Sequence, residues 1–473
     1  MERKRSYLAF GLGTAFSVYA FILFGCLLFQ VPAFADVDLL KKHIAAYNLE
    51  QHALRMAEAT YRGEEGVLGL NPEVAKAFGF KVFLNQDYFK AVELYGQAEG
   101  FFERAVEAMS SREKEQYPGE HTKRIEELAI LHNEAEAVAW DHMTAYQSKL
   151  KVENDERLDR ETSFRLLEKL WKEEIEKASY NLRNGLGNFY NRCQDYKEDV
   201  SLNLMNIGFV NHVFHAFLKE ASPEVVSGFD LDRCENKDGE DSWSMWKYAL
   251  GNSSSRFALI LEEAFEKTPS AKKQVDILLF LALMRQESNF DPRNVSYVGA
   301  AGLTQIMPST AKGLGMKDIF SPPYFKEAGA LLGRERKLKS RAKDLLFKVT
   351  ESNRVEFAKK ARGLMQESLD CGKKRKDLYS RYRRELLKDG KDERLNPNKA
   401  ALYGLRYFSQ MMRIQKGDMS LALASYNAGA YRVKQYNGIP PFEETIDFRN
   451  KVLKYYRNYQ KRAKKNSSKQ ANK

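Results

Sequence analysis

A run of ten residues that is apolar apart from Asp276, from Val275 to Met284, leads directly into the polar tripeptide Arg285-Gln286-Glu287. A run of this length and composition predicts a helix buried in a core, with its polar end at the mouth of a cleft. A carboxylic acid held at such an end loses contact with water, and its pKa rises above the ordinary value near ~4.3. A proton donor that works at neutral pH needs this shift, so Glu287 is the candidate general acid.

The residues that follow have the composition of a ligand cleft. Ser296 precedes Gly299 and Gly302, small residues that let the backbone approach a ligand closely. Gln305 offers both a donor and an acceptor to hydroxyl or acetamido groups. Pro308 is typical of the first position of a new helix.

A second polar and aromatic segment, Ala424 to Ala430, places Tyr426 and Asn427 next to small residues. Tyr426 is suited to stack on a pyranose or to hydrogen-bond it, and Asn427 to hold a neighbouring loop.

Four ordered motifs between Gln274 and Tyr459 carry a resemblance: E-S-x-F-x-P, G-A-x-G-L-x-Q-I-M-P-x-T-A, A-x-Y-N-A-G and P-x-x-E-T. Together they resemble the catalytic domain of the soluble lytic transglycosylase family, which has a lysozyme-like fold. The resemblance puts the family's single catalytic acid on Glu287. It puts the cleft residues of the family on the following positions: Ser296, Gln305, Met307, Tyr426 and Glu444.

The resemblance also implies a reaction and a substrate, the glycan strands of peptidoglycan. The N-acetyl group of the substrate would assist departure of the leaving sugar from the MurNAc-GlcNAc β-1,4 bond. The C6 hydroxyl would then attack, giving a 1,6-anhydro-muramyl product, with Glu287 as acid and then as base and with no metal or other cofactor. Two alternatives stay open: a muramidase of the goose lysozyme type, in which water completes the reaction, and a non-catalytic peptidoglycan-binding scaffold.

Three of the candidate residues also have a purely structural interpretation. Glu287 could be an ordinary helix-terminal acid, Tyr426 a packed aromatic, and Glu444 an acid that satisfies the free amides of a helix start. The tripeptide Gln-Glu-Ser occurs again at Gln366 to Ser368, without an apolar run before it or a glycine-rich turn after it. We interpret Glu367 there as a solvated helix residue.

The sequence departs from the family pattern at three places. Thr304 stands where methionine is common, Phe448 where tyrosine is common, and residues 321–394 stand where the family has a short connection. This insertion holds 22 lysines and arginines and 12 acidic residues, a local excess of +10, and the whole chain has a net charge of +12. Its apolar spacing predicts a helical hairpin beside the cleft, and its charge is suited to an anionic envelope or membrane surface.

The fold class predicted is all-α, with a helical N-terminal domain over 36–250 and a lysozyme-like transglycosylase domain over 257–460. Residues 461–473 are polar and basic and are expected to form a disordered tail. All seven histidines lie at or before His215, which excludes a Ser-His or Cys-His nucleophile from the second domain.

The N-terminus indicates export. Basic residues precede an apolar segment from Tyr7 to Leu28, and Ala33-Phe34-Ala35 offers a cleavage site. Residues 1–35 are therefore a signal peptide or a membrane anchor, and Leu23 to Cys26 also loosely resembles a lipoprotein box. The protein is expected in the periplasm or elsewhere at the cell envelope, away from nucleic acid. A Cys193–Cys234 disulfide is compatible with that compartment.

Overall fold

The computed structural model describes residues 37–115, 117–196, 200–234, 243, 245–252 and 254–471. The segment predicted to be a signal peptide or anchor, residues 1–35, lies outside this part. Helices joined by turns and short 3-10 segments make up the described residues, which form no sheet. The predicted all-α fold class is confirmed. No helix among the described residues has both the length and the apolar character needed to cross a bilayer.

Eighteen α-helices follow one another in the described chain, and we number them in order. They are α1 (Val37–Ala57), α2 (Pro72–Ala77), α3 (Gln86–Ser110), α4 (Glu120–Gln147), α5 (Arg160–Lys177), α6 (Leu182–Cys193), α7 (Ile207–Glu220), α8 (Pro223–Ser227), α9 (Ala258–Glu266), α10 (Pro269–Gln274), α11 (Ile277–Ser288), α12 (Pro308–Gly313), α13 (Pro323–Leu346), α14 (Arg354–Asp389), α15 (Pro397–Ile414), α16 (Met419–Ala428), α17 (Ala430–Gln435) and α18 (Glu443–Ala471).

The chain forms two compact units that are discontinuous in sequence. Among the described residues, the first unit comprises those within 37–60, 64–82 and 151–233, and the second comprises those within 61–63, 83–150 and 234–471. This grouping differs from the predicted linear division into 36–250 and 257–460, because the long hairpin of α3 and α4 belongs to the second unit. Sequence periodicity identifies the apolar stripes of these helices but not their partners.

The partner of α3 and α4 is the predicted helical insertion, which forms the hairpin of α13 and α14. The contact is an apolar cluster with polar contacts at its edge, where Asn133 Nδ2 donates to Leu346 O at 3.1 Å and to Val349 O at 3.0 Å. The cluster is made of Ala105, Ala108, Met109, Ile125, Leu128, Ala129, Ala342, Leu346, Val349, Ala358, Ala361 and Met365.

The apolar run of the sequence forms α11, the central helix of the second unit. Every residue from Ile277 to Met284 is buried. Asp276 caps the helix by accepting from Leu278 N at 2.7 Å, and Tyr456 of α18 donates to the same carboxylate at 3.0 Å. The prediction of a buried helix is confirmed, and α11 delivers its last turn to the candidate site.

Two expectations from the sequence are corrected. Helix α18 continues to Ala471 in place of the disordered tail predicted from 461, because Ala463 packs into the core and Asn466 Nδ2 donates to Tyr248 O at 2.9 Å. Cys193 and Cys234 are both free thiols, so the structure does not contain the disulfide that the sequence allows.

Candidate active site

A buried ion pair fixes the glycine-rich loop of residues 299–306. The Arg394 and Asp392 side chains are wholly buried, and Arg394 donates to both oxygens of Asp392, from Nε at 2.9 Å and from Nη2 at 2.8 Å. Arg394 Nη1 donates to the carbonyl oxygens of Gly299 at 3.0 Å and Ile306 at 3.1 Å. The loop therefore rests on a buried ion pair. Removing either partner would leave the charge of the other buried and uncompensated.

Glu287 lies in the last turn of α11, half-buried beside this loop. Burial raises the pKa of its carboxyl group well above the ordinary range, and the negative charge of Glu444 raises the pKa further. The next residue anchors the turn, since Ser288 Oγ donates to Leu303 O at 2.9 Å. The direction of this pKa shift is the one that a general acid needs.

Ser296 and Gln305 shape the loop itself. Ser296 Oγ accepts from Ala300 N at 3.0 Å and from Val298 N at 3.3 Å. Gln305, at a left-handed φ of 46°, donates from Nε2 to Asn294 O and to Gly302 O, both at 2.9 Å. Because its amide donors are used within the loop, the carbonyl oxygen is the group of Gln305 that can accept from a ligand.

Tyr426 and Asn427 come from the end of α16. Tyr426 Oη donates to Thr304 O at 2.7 Å, and its ring stacks parallel to Phe448 at 6.4 Å. Asn427 Oδ1 accepts from Thr445 Oγ1 at 2.7 Å, in the turn that begins α18. The hydroxyl of Tyr426 is thereby committed to the loop, and burial raises the pKa of this hydroxyl well above its usual value.

One cavity of about 330 Å³ lies between these elements. All seven candidate residues line it: Glu287, Ser296, Gln305, Met307, Tyr426, Asn427 and Glu444. Their roles toward a substrate stay predictions, but the structure brings together residues that are up to 157 positions apart in the sequence. Glu444 also lies in the first turn of α18, so its two interpretations from the sequence are compatible.

Sequence reasoning missed two contributors to the site. Tyr407 lines the cavity and lies 5.0 Å from Tyr426 between ring centroids. Arg394 holds the loop from the far end of the insertion, and its pairing with Asp392 two residues earlier is the signal that the sequence offered. The departure at Thr304 is accommodated, since Thr304 Oγ1 donates to Ala400 O at 2.9 Å and its side chain packs where a Cβ on Gly404 would stand.

Glu287 is a carboxylic acid whose pKa is shifted upward, and it lines a cavity in an all-helical unit. Comparison with known proteins identifies the family: residues 265–332 and 333–448 match the family model described as transglycosylase SLT domain. Over these residues, which make up less than half of the chain, the sequence is similar to lytic transglycosylases. The boundary between the two matched segments falls within α13, in the insertion.

Two relatives are similar in sequence to parts of the chain. A stretch of 66 residues is 42% identical to a protein named transglycosylase from Enterobacteria phage PRD1, covering 14% of this chain and 25% of the phage protein. A stretch of 80 residues is 39% identical to the soluble lytic murein transglycosylase of Escherichia coli strain K12, covering 17% of this chain and 12% of that protein. The chain therefore matches no more than a quarter of the length of these relatives.

Proposed function

We propose that the chain is a lytic transglycosylase that cleaves the MurNAc-GlcNAc β-1,4 bond of peptidoglycan. The observation that carries the proposal is Glu287, whose carboxyl group has a raised pKa and lines the one cavity that gathers every candidate residue. The transglycosylase SLT match of residues 265–332 and 333–448 and the names of the two relatives support the same reaction.

The proposed reaction needs one group that gives and then takes a proton. Glu287 donates its proton to the bridging oxygen as the C1–O bond breaks, and the substrate's acetamido oxygen stabilises the electron-poor C1. The ionised Glu287 then removes the proton of the C6 hydroxyl, whose oxygen forms a bond to C1 as the acetamido oxygen withdraws from C1, and the acetamido group stays on the sugar. The products are the leaving sugar and a 1,6-anhydro-muramyl end, and Glu287 is protonated again.

One observation favours a second candidate function. Glu444 lines the same cavity as Glu287 and is close enough to raise its pKa. A second carboxylate opposite an acid can activate water, which is the chemistry of inverting glycosidases and of the muramidase alternative. A non-catalytic scaffold is the third possibility, but a binding site gains nothing from an acid whose ionised form is disfavoured.

The catalytic assignment is tested with Glu287→Gln and a matched control within the same chain. Glu367 lies in the same Gln-Glu-Ser context, but on α14, where its side chain is exposed and bonded to Arg334. We expect Glu287→Gln to release muropeptides from purified peptidoglycan at less than about one hundredth of the wild-type rate. Glu367→Gln should act like wild type. Wild-type activity in Glu287→Gln would defeat the assignment.

The place of action follows from the substrate, and we propose export to the periplasm or cell envelope with residues 1–35 as signal or anchor. The basic hairpin of α13 and α14 suits contact with an anionic envelope or membrane surface. Binding of the chain to vesicles of anionic lipid that weakens as salt is raised would support this contact.

A further inference from the structure

The first compact unit repeats the backbone of the candidate active-site loop. Three left-handed glycines between residues 63 and 79 match three in the candidate active-site region, and the members of each pair are 236 positions apart with φ angles that differ by 7°. The pairs are Gly63 (98°) and Gly299 (91°), Gly66 (75°) and Gly302 (82°), and Gly79 (86°) and Gly315 (93°). An isolated antiparallel bridge lies at the same place in each loop, Glu65 with Leu70 and Ala301 with Ile306. A short helix that begins with proline follows in both, α2 at Pro72 and α12 at Pro308.

A buried ion pair holds the loop of the first unit, as Arg394 and Asp392 hold the loop of the second. Asp155 and Arg157 are wholly buried, and Arg157 donates to Asp155 from Nε at 2.9 Å and from Nη2 at 2.8 Å, the distances found for Asp392 and Arg394. Arg157 Nη1 donates to Leu70 O at 3.1 Å, as Arg394 Nη1 does to the equivalent carbonyl of the second loop.

The close approach of backbone to backbone is repeated as well. A Cβ on Gly66 would stand 1.9 Å from Arg157 O, and a Cβ on Gly302 would stand 1.8 Å from Arg394 O. The two ion pairs therefore stand in the same relation to their loops.

The helices around the loop also follow the same order. After the ion pair, each unit has a helix of 18 residues, α5 in the first and α15 in the second. After one further residue, each helix is followed by two successive left-handed residues, Ser179-Tyr180 and Lys416-Gly417. The next helices, α6 and α16, both carry a Tyr-Asn pair near their ends. In both copies a long helical hairpin is inserted between the loop and the ion pair, α3 with α4 and α13 with α14.

The position of the acid is occupied by a tyrosine. In the second unit Ser288 anchors α11 to Leu303 O; in the first, Asn48 Nδ2 of α1 donates to Val67 O at 3.0 Å, 236 positions before Leu303. The residue before this anchor is Glu287 in one unit and Tyr47 in the other. The Tyr47 ring packs edge-on against Phe209, 5.3 Å away between centroids.

The groove beside Tyr47 is closed. Its cavity measures about 10 Å³, against about 330 Å³ beside Glu287. Helix α1 runs past the anchor to Ala57 and brings Arg55 Nη1 to 3.0 Å from Glu64 Oε1 and His52 Nε2 to 3.4 Å from Glu65 Oε1. The loop glutamates are thus paired with α1 and do not face a cavity that could hold a sugar.

We infer that residues 37–82 and 151–233 are a second copy of the transglycosylase fold, in which Tyr47 replaces the acid and the groove is closed. The chain combines one copy built for catalysis with one silenced copy, each carrying its own inserted hairpin. That the second copy is catalytic rests on the proposed function, whereas the duplication rests on the geometry of the two units alone.

The duplication is tested by hydrogen exchange of the full chain carrying Arg157→Met or Arg394→Met. We expect Arg157→Met to lower the protection of amides in 65–80 at least tenfold and to change 299–316 less than twofold. Arg394→Met should give the reverse. The milder pair Asp155→Asn and Asp392→Asn serves if the methionine variants do not fold. Unchanged protection of 65–80 in Arg157→Met and Asp155→Asn would overturn the inference.

The closed groove is tested by exchange of Glu287→Gln with and without a tetramer of N-acetylglucosamine. Added protection near Glu287 and in the loop 299–306, with none at 47–70, is the expected result. Protection at 47–70 would overturn the silencing of the first copy. Protection in neither unit would count against the proposed function, while the ion-pair variants would still decide the duplication.

Discussion

Replacing Gly302 by alanine should destabilise the second unit far more than replacing Gly315, although both glycines have left-handed φ angles, 82° and 93°. Around Gly315 an added Cβ meets nothing within 4 Å, so Gly315→Ala costs only the left-handed backbone term, about 1–2 kcal/mol. At Gly302 the Cβ would stand 1.8 Å from the carbonyl oxygen of Arg394, a backbone atom that no rotamer change can move away.

The extra cost at Gly302 follows from what Arg394 holds. Moving its backbone breaks or lengthens the charged hydrogen bonds to Gly299 O (3.0 Å) and Ile306 O (3.1 Å). Loss of one such bond costs about 1.5–3 kcal/mol, so with the left-handed backbone cost Gly302→Ala should lose about 2.5–5 kcal/mol in total. Urea unfolding followed by circular dichroism measures both variants. Equal losses in the two would refute the argument that the ion pair and the loop backbone are in close contact.

Three further predictions concern the site. Glu444→Gln removes a negative charge that raises the pKa of Glu287, so the alkaline limb of the rate-against-pH profile should move to lower pH; an unmoved limb would show that the two carboxylates do not interact. Because the pKa of Glu287 is raised in the folded state, wild type loses stability as pH rises from the ordinary carboxyl value of 4.5 to the folded pKa. The melting temperature of Glu287→Gln should therefore exceed that of wild type by a margin that grows over this range. A constant difference from pH 4 upward would contradict this prediction. Tyr426→Phe leaves Thr304 O without its 2.7 Å donor and should cost about 1–3 kcal/mol in urea unfolding, whereas an unchanged midpoint would show that the bond is replaced.

The sequence predicted the second unit better than the first for a physical reason. The apolar run of α11 and the motif residues around Glu287 are local signals, and they gave both the buried helix and the set of residues that lines the cavity. The support of the loop by Arg394 depends on a contact between residues that the inserted hairpin separates in the sequence. Hydrophobic periodicity does not reveal such a contact.

The first unit offered weaker signals. Gly63, Gly66 and Gly79 keep the backbone pattern of the loop, but Gly69 stands where the second loop has Gln305, and Tyr47 where it has the acid. A search for catalytic residue types passes over such a copy, because what persists is the glycine spacing and the Asp155 to Arg157 pair. The left-handed glycines and the buried Asp155–Arg157 pair hold the loop of the first copy, although Tyr47 stands at the position of the acid.

The most direct test of the central claim is digestion of purified peptidoglycan by the full chain in water labelled with heavy oxygen, followed by mass spectrometry of the products. If Glu287 acts as acid and then as base for the C6 hydroxyl, the muramyl ends are anhydro sugars, one water lighter than hydrolysed ends and without label. Muramyl ends that carry the heavy oxygen would contradict the account and assign water activation to the cavity instead.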